Sequence, residues 1–174
     1  MARALDKCEY CRMIGYHCKE RRCGIEYAKY VIMLQALIDF VNQPIDVKFT
    51  VDADAGVVRS ATRELKLMKR SGSLLRFIID RVIPYIDRLM DKNEYCNAVN
   101  AVNCDVEYMK YVIMYYAITE YFNQPIDMRV YVDGIVDSDA IKVASRELRT
   151  LKRMGGLLRF IRNRVAPFIS VPRD

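Results

Sequence analysis

The sequence predicts a predominantly helical α+β protein with an internal duplication of one α-β-α-α unit. The segment FVNQPIDVKFTVD begins at Phe40, and a near copy, YFNQPIDMRVYVD, begins at Tyr121. Roughly 30 of about 50 aligned positions are identical between the copies. Apolar residues make up 52% of the chain and charged residues 29%, which is typical of a globular protein. Because matching faces of two copies can bury one another, we expect pseudo-twofold symmetry.

The duplication divides the chain into four segments. They are a Cys-rich N-terminal extension (1–24), a first repeat unit (25–90), a Cys-containing linker (91–105) and a second repeat unit (106–171). A chain of 174 residues is long enough to bury a core without needing metal or disulfides merely to fold.

Each repeat is predicted to begin with an apolar helix, at about Ile25–Val41 and Val106–Phe122. Its apolar residues occupy nearly every side, so it should be central and buried. The Asn-Gln-Pro turn that follows should end the helix, because the residue before proline is disfavoured in the helical region.

A short strand is predicted next, over Asp46–Val51 and Asp127–Val132. Apolar residues alternate with polar ones, which indicates one buried and one solvated face. The outward residues that could contact a ligand are Lys48 and Thr50 in the first copy and Arg129 and Tyr131 in the second. Whether the two strands pair antiparallel is left open by the sequence.

The third element is an amphipathic helix, from near Gly56 to Arg70 and from near Ala140 to Arg153. An apolar stripe predicts the packed side, and basic residues at spacings of four, three and four mark the opposite side. These basic residues are Arg59, Arg63, Lys66 and Arg70 in the first copy, and Lys142, Arg146, Arg149 and Arg153 in the second.

Glycines stop this helix in both copies, at Gly72 and at Gly155 with Gly156. A last helix follows, which Pro84 and Pro167 should kink or end at matching positions.

The net charge of +6 suggests a polyanionic partner, most simply nucleic acid. Between Arg59 and Arg81 there are seven basic and two acidic residues, and between Lys142 and Arg164 there are eight and one. Solvated helix faces would explain one such block. Two matching blocks favour surfaces that contact phosphates, with salt-dependent binding.

A strand followed by a two-faced helix, a glycine turn and a second helix resembles the ribbon-helix-helix DNA-binding proteins. That resemblance implies that two strands pair antiparallel in the major groove and that Lys48, Thr50, Arg129 and Tyr131 read the bases. It also implies that backbone amides around Ser71–Ser73 and Met154–Gly156 bind phosphates. The sequence departs from the family pattern in its long preceding helix, its short glycine turn and the proline of its last helix.

The N-terminal extension contains five soft metal ligands, namely Cys8, Cys11, His17, Cys18 and Cys23. Four of them could hold zinc, and the stretch resembles a zinc knuckle, although two of its spacings are one residue too long. The alternative is three disulfides. Glu-Tyr-Cys recurs at Glu94, and a second cysteine follows in both copies, which suggests Cys11–Cys23 and Cys96–Cys104 and leaves Cys8–Cys18.

No catalytic constellation is evident, and aspartates such as Asp52 and Asp133 at the strand ends are typical of turns and helix caps. We therefore expect a non-enzymatic nucleic-acid-binding protein, more simply of DNA than RNA, with zinc as the one candidate cofactor. We expect it inside a cell or virion of a thermophilic archaeon or archaeal virus, where intracellular disulfides occur, without a membrane partner. The alternative is a structural or assembly protein stabilised by disulfides, possible as a homo-oligomer.

Overall fold

The helices predicted for each copy are present at bounds close to those expected. The structure is a computed structural model that describes residues 3–43, 55–102, 104–124 and 138–170, and this part of the chain is predominantly helical. The predicted strands, Asp46–Val51 and Asp127–Val132, lie outside the described residues.

Helices make up most of the described elements. In chain order, the α-helices and strands are β1 (Arg3–Ala4), α1 (Lys7–Ile14), α2 (Arg21–Asn42), α3 (Ala55–Ser71), α4 (Leu74–Phe77), α5 (Lys92–Val99), α6 (Cys104–Asn123), α7 (Ser138–Met154), α8 (Leu157–Phe160) and β2 (Ile169–Ser170). The apolar helices α2 and α6 end at Asn42 and Asn123, two residues before a proline, which confirms the predicted helix stop.

The chain folds into two compact units. Unit 1 consists of Met1–Asp39 with Pro125–Asp174, and unit 2 consists of Phe40–Gln124. Unit 1 therefore combines most of the apolar helix of the first sequence copy with the basic helix of the second. Unit 2 combines α3 of the first copy with α6 of the second. The sequence copies and the compact units are thus two different divisions of the chain.

Helix–helix packing places the apolar helix of each unit against its basic helix. In unit 1, Ile25 and Ala28 of α2 form a buried cluster with Ala140 and Ala144 of α7. The short alanine side chains allow the two helices to approach closely. In unit 2, α3 packs against α6, and Leu65 of α3 is fully buried.

Glycines terminate both basic helices as predicted. Gly72 and Gly155 have left-handed φ angles of 82° and 77°. The amides of Gly72 and Ser73 donate to the carbonyls of Lys69 and Met68, which is the hydrogen-bond pattern of a Schellman cap. Since Gly155 makes the corresponding bond to Lys152, the same cap ends α7.

The last helix of each copy changes its winding before the proline. After α4 comes a π-helical turn, Ile78–Val82, and then a 3-10 turn, Ile83–Tyr85, that contains Pro84. The same sequence of turns, Ile161–Val165 and Ala166–Phe168, follows α8. Proline lacks an N–H and crowds the carbonyl four residues earlier, so a regular α-helix cannot continue through it.

Two short helices were not predicted. Each begins with an aspartate cap: the Asp6 carboxylate accepts from the Glu9 amide in α1, and the Asp91 carboxylate accepts from the Glu94 amide in α5, both at 2.8 Å. The Asp-x-x-Glu spacing is visible in DKCE and DKNE and signals a helix start. The two-residue strands β1 and β2, which pair antiparallel in unit 1, were also not predicted.

Stacked tyrosines join the short helix of unit 1 to its core. The rings of Tyr10 and Tyr30 lie 4.2 Å apart, and both side chains are fully buried. The Tyr10 hydroxyl donates to the Arg164 carbonyl at 2.7 Å, and the Tyr30 hydroxyl donates to the Phe168 carbonyl at 2.6 Å. Burial raises the pKa of Tyr30 to about 12.

Unit 2 repeats this arrangement. Tyr95 and Tyr111 stack with ring centroids 4.1 Å apart. Their hydroxyls donate at 2.9 Å to the carbonyls of Arg81 and Tyr85, respectively. In both units the hydroxyls therefore contact the backbone near the proline turn.

The cysteines form three disulfides, which confirms the pairing alternative from the sequence. They are Cys8–Cys18, Cys11–Cys23 and Cys96–Cys104, with Cα–Cα distances of 4.8, 5.7 and 5.9 Å. The second and third pairs join corresponding positions, at which a short helix is tied to the first turns of an apolar helix. The first pair has no counterpart in the second copy.

Candidate functional site: two basic helix faces and a cationic pocket

The α3 basic face consists of Arg59, Arg63, Lys66 and Arg70. All four side chains are exposed, whereas Ala61 and Leu65 on the other side of the helix are fully buried. The helix therefore has the two-sided character that the spacing of its residues predicts.

The α7 basic face consists of Lys142, Arg146, Arg149 and Arg153. These side chains are also exposed, and the packed side of α7 contains the buried residues Ala144 and Leu148. The two faces belong to different compact units, and all four basic residues of each face lie on a single helix.

These eight cations are not neutralised by the part of the chain that the structure describes. The ion pairs of the described residues involve other basic side chains, for example Lys110 with Glu64 and Lys29 with Glu147. Four uncompensated charges on each helix produce a local positive potential that favours a polyanion.

Four further predicted contact residues lie outside the described residues: Lys48, Thr50, Arg129 and Tyr131. The amides that the ribbon-helix-helix resemblance assigns to phosphate binding are in the structure, and they are engaged. Gly72, Ser73, Gly155 and Gly156 donate to carbonyls at the ends of α3 and α7. A phosphate clamp at these four amides is therefore not available.

Unit 1 contains a pocket of about 680 Å³ beside the α7 basic face. Among its described lining residues, five are basic and two are acidic. They are Arg22, Lys29, Arg146, Arg159 and Arg164, with Glu26 and Glu147. The volume lies within the range of small-molecule sites in proteins. Of the sequence-predicted residues, Arg146 and Gly156 line the pocket.

An ion cluster around the buried side chains of Lys29 and Glu26 lines this pocket. Lys29 is 6% exposed, and its Nζ lies 2.9 Å from a carboxylate oxygen of Glu26 and 2.9 Å from one of Glu147. Arg22 makes two hydrogen bonds of 2.6 Å to Glu147 and lies 2.5 Å from Glu26. Hydrogen bonding to Arg22 is the main cause that lowers the pKa of Glu147 to about 2.

A third cation completes the cluster. The Arg164 guanidinium is 3.8 Å from Glu26, which is too far for a hydrogen bond but close enough for attraction. Three cations thus surround two carboxylates, and the cluster has a surplus of one positive charge.

In the corresponding cluster of unit 2, one buried lysine pairs with two carboxylates. Lys110 is 6% exposed and pairs with Glu64 at 2.9 Å and with Glu107 at 2.7 Å. With Arg81, which aligns with Arg164, this cluster has two cations and two carboxylates, one positive charge fewer than the cluster of unit 1. Both lysines also lie 5.3 Å from a phenylalanine ring centroid, that of Phe160 for Lys29 and that of Phe77 for Lys110.

Sequence reasoning did not identify these clusters. A signal was present: the Glu-Tyr-x-Lys-Tyr motif at Glu26 and at Glu107 places a lysine inside an otherwise apolar helix. A lysine that is buried must be paired, so this motif predicts an acidic partner on another element.

The five candidate zinc ligands do not form a common centre. Their cysteines are paired as disulfides, and the His17 ring accepts a hydrogen bond from the Lys19 amide. The described residues contain no group of three or more His, Cys, Asp or Glu side chains that could hold a metal ion.

Comparison with known proteins returned no relatives. The chain matches no protein-family model, no curated protein sequence and no solved structure. None of the described helices has the length and apolar character that crossing a membrane requires.

Proposed function

We propose that the protein is a non-enzymatic nucleic-acid-binding protein that contacts DNA phosphates through its basic helix faces. The observation that supports the proposal is the set of four exposed cations on α3, and the matching set on α7, that form no ion pair with a described residue. Their spacing along one side of a helix suits a row of phosphates, and arginine can donate two parallel hydrogen bonds to each. The proposed location is inside a cell or a virion.

The proposal predicts how strongly salt weakens DNA binding. Each phosphate contact lowers the slope of log K against log salt by about 0.9 for duplex DNA. Four contacts from one helix face therefore correspond to a slope of about −3.6. Raising the salt from about 50 to 200 mM should weaken such binding by roughly 100-fold.

The test is fluorescence anisotropy with a labelled duplex at several salt concentrations. The variant replaces the α3 basic face by glutamine, and the control replaces four exposed cations elsewhere, so that both lose the same charge. The control residues are Arg3, Arg12, Lys19 and Arg21. We expect the slope to become less negative by up to about 3.6 in the α3 variant and by much less in the control. An equal change in slope in the two variants, or no salt-sensitive binding by the wild-type protein, would refute the proposal.

The same titration with a labelled RNA strand shows which nucleic acid the protein prefers.

The second candidate function is that of a structural or assembly protein. The observation that favours it is the set of three disulfides, which suits a protein selected for resistance to heat. Light scattering discriminates between the two: a DNA-indifferent oligomer supports assembly, and a monomer that binds DNA supports the first function.

A further inference from the structure

We propose that the pocket of unit 1 is a binding site for a phosphate group, separate from the general attraction of the basic helix faces for a nucleic-acid backbone. The surplus positive charge of the cluster formed by Arg22, Lys29, Arg164, Glu26 and Glu147 supports this. Solvent screens part of this surplus, since the side chains of Arg22 and Arg164 are 40% and 38% exposed. Lys29 and Glu26 are buried, and in such surroundings a charge without a counterion is penalised. A bound anion would remove that cost.

Arginine chemistry favours phosphate over a carboxylate. Arg146 lies at the pocket with no ion pair to a described residue, and Arg164 is attached to Glu26 only at 3.8 Å. Guanidinium groups approaching from two elements match the several oxygens and the double charge of a phosphate monoester. The pocket volume of about 680 Å³ also has room for the group to which the phosphate is attached.

The first copy carries features at this pocket that the second copy lacks. The interval from Tyr10 to Tyr27 is 17 residues, whereas the aligned interval from Tyr95 to Tyr108 is 13, so the first copy has four additional residues here. This longer segment includes Tyr16, which lines the pocket, and it is tied to α1 by the Cys8–Cys18 disulfide.

Two aligned substitutions increase the difference in charge. Arg22 of the first copy aligns with Asn103, and Asn163 at the pocket aligns with Asp80. The aligned positions of unit 2 are therefore less cationic than the pocket of unit 1, with four basic residues (Arg63, Arg76, Arg81 and Lys110) against three acidic ones (Glu64, Asp80 and Glu107). Unit 2 supplies an aligned control position for Arg164 and for Asn163, namely Arg81 and Asp80.

Isothermal titration with inorganic pyrophosphate, in the absence of nucleic acid, tests the proposal. Replacing Arg164 by glutamine should weaken binding about tenfold or more, since a charge-assisted hydrogen bond is lost. Introducing the acid of the second copy, Asn163→Asp, should also weaken it. The aligned changes Arg81→Gln and Asp80→Asn should leave affinity within about twofold. Thermal melting without ligand verifies that each variant is folded.

Absence of saturable pyrophosphate binding would overturn the proposal, and so would equal weakening by Arg164→Gln and Arg81→Gln. Single strands with a 5′-phosphate and with a 5′-hydroxyl then identify the source of the phosphate. A preference for the 5′-phosphate that Arg164→Gln abolishes identifies a strand end. If Arg164→Gln weakens the binding of pyrophosphate but not that of either strand, the phosphate belongs to a small molecule. The α3 variant that tests duplex binding changes no pocket residue, so the two proposals can fail separately.

Discussion

The two lysine clusters predict stability changes of different size for the same substitution. Glu26 is 4% exposed and is the shared partner of Arg22, Lys29 and Arg164. Glu26→Gln would leave three cations with a single carboxylate, that of Glu147. Glu107→Gln, its counterpart in unit 2, would leave Lys110 paired with Glu64.

The expected magnitudes follow from burial. Breaking a buried ion pair typically costs 3–5 kcal/mol, and because Lys29 keeps Glu147 at 2.9 Å we expect about 3 kcal/mol for Glu26→Gln. The Glu107 side chain is 31% exposed, so solvent screens its interaction and we expect a change within about 1 kcal/mol.

Urea denaturation measures both variants, followed by circular dichroism and by tyrosine fluorescence, since the chain has no tryptophan. With a slope of about 2 kcal/mol per M, the Glu26→Gln midpoint should fall by roughly 1.5 M. Two compact units need not unfold in one step, so each transition is fitted separately. A loss for Glu107→Gln as large as that for Glu26→Gln would refute the charge-surplus argument.

Two other predictions concern the disulfides and acid stability. Replacing Cys96 and Cys104 by serine opens a loop with a sequence separation of 8 and should cost about 2.5 kcal/mol, read as a lower melting temperature than that of the oxidised wild type. Under native redox conditions thiol titration should detect no free cysteine, and six reactive thiols with bound zinc would contradict the pairing. The pKa of Glu147 is lowered to about 2, so its contribution to stability is complete above about pH 4.5 and is lost as the pH falls toward 2. The stability difference between the wild type and Glu147→Gln should therefore shrink over that interval; a constant difference would count against it.

Much of the helical structure could be predicted from local signals. The Asn-Gln-Pro turns end α2 and α6, and Gly72 and Gly155 end α3 and α7, because proline and glycine restrict the backbone directly. The basic faces follow from spacing alone. The short helix α1 was missed because its Asp6 cap lies in a segment dominated by cysteines, which direct attention to metal or disulfide chemistry.

The pocket could not be predicted in the same way, because it depends on contacts between distant residues. Lys29 and Glu147 are 118 residues apart, and the local sequence around Lys29 indicates that it needs an acidic partner but not which one. The basic residues of the pocket come from both ends of the chain, for example Arg22 and Arg164. Local patterns identify which faces are charged, but they do not show which charges are brought together.

The internal duplication makes the partner of each buried lysine ambiguous in the sequence. Both copies contain the same Glu-Tyr-x-Lys-Tyr motif in the apolar helix and the same Arg-Glu-Leu motif in the basic helix. From the sequence, Lys29 is therefore as compatible with Glu64 of its own copy as with Glu147 of the other. The structure pairs Lys29 with Glu147 and Lys110 with Glu64, so each ion pair joins the two copies.

This exchanged pairing explains how the two units came to differ in charge. Within a unit, the apolar helix and the basic helix derive from different copies, so substitutions in either copy affect both units. Arg22 belongs to the first copy and Asn163 to the second, and both residues are part of unit 1. Their counterparts Asn103 and Asp80 belong to unit 2. A surplus of positive charge could therefore accumulate in one unit while the shared lysine–glutamate pairs, on which helix packing depends, stayed the same in both.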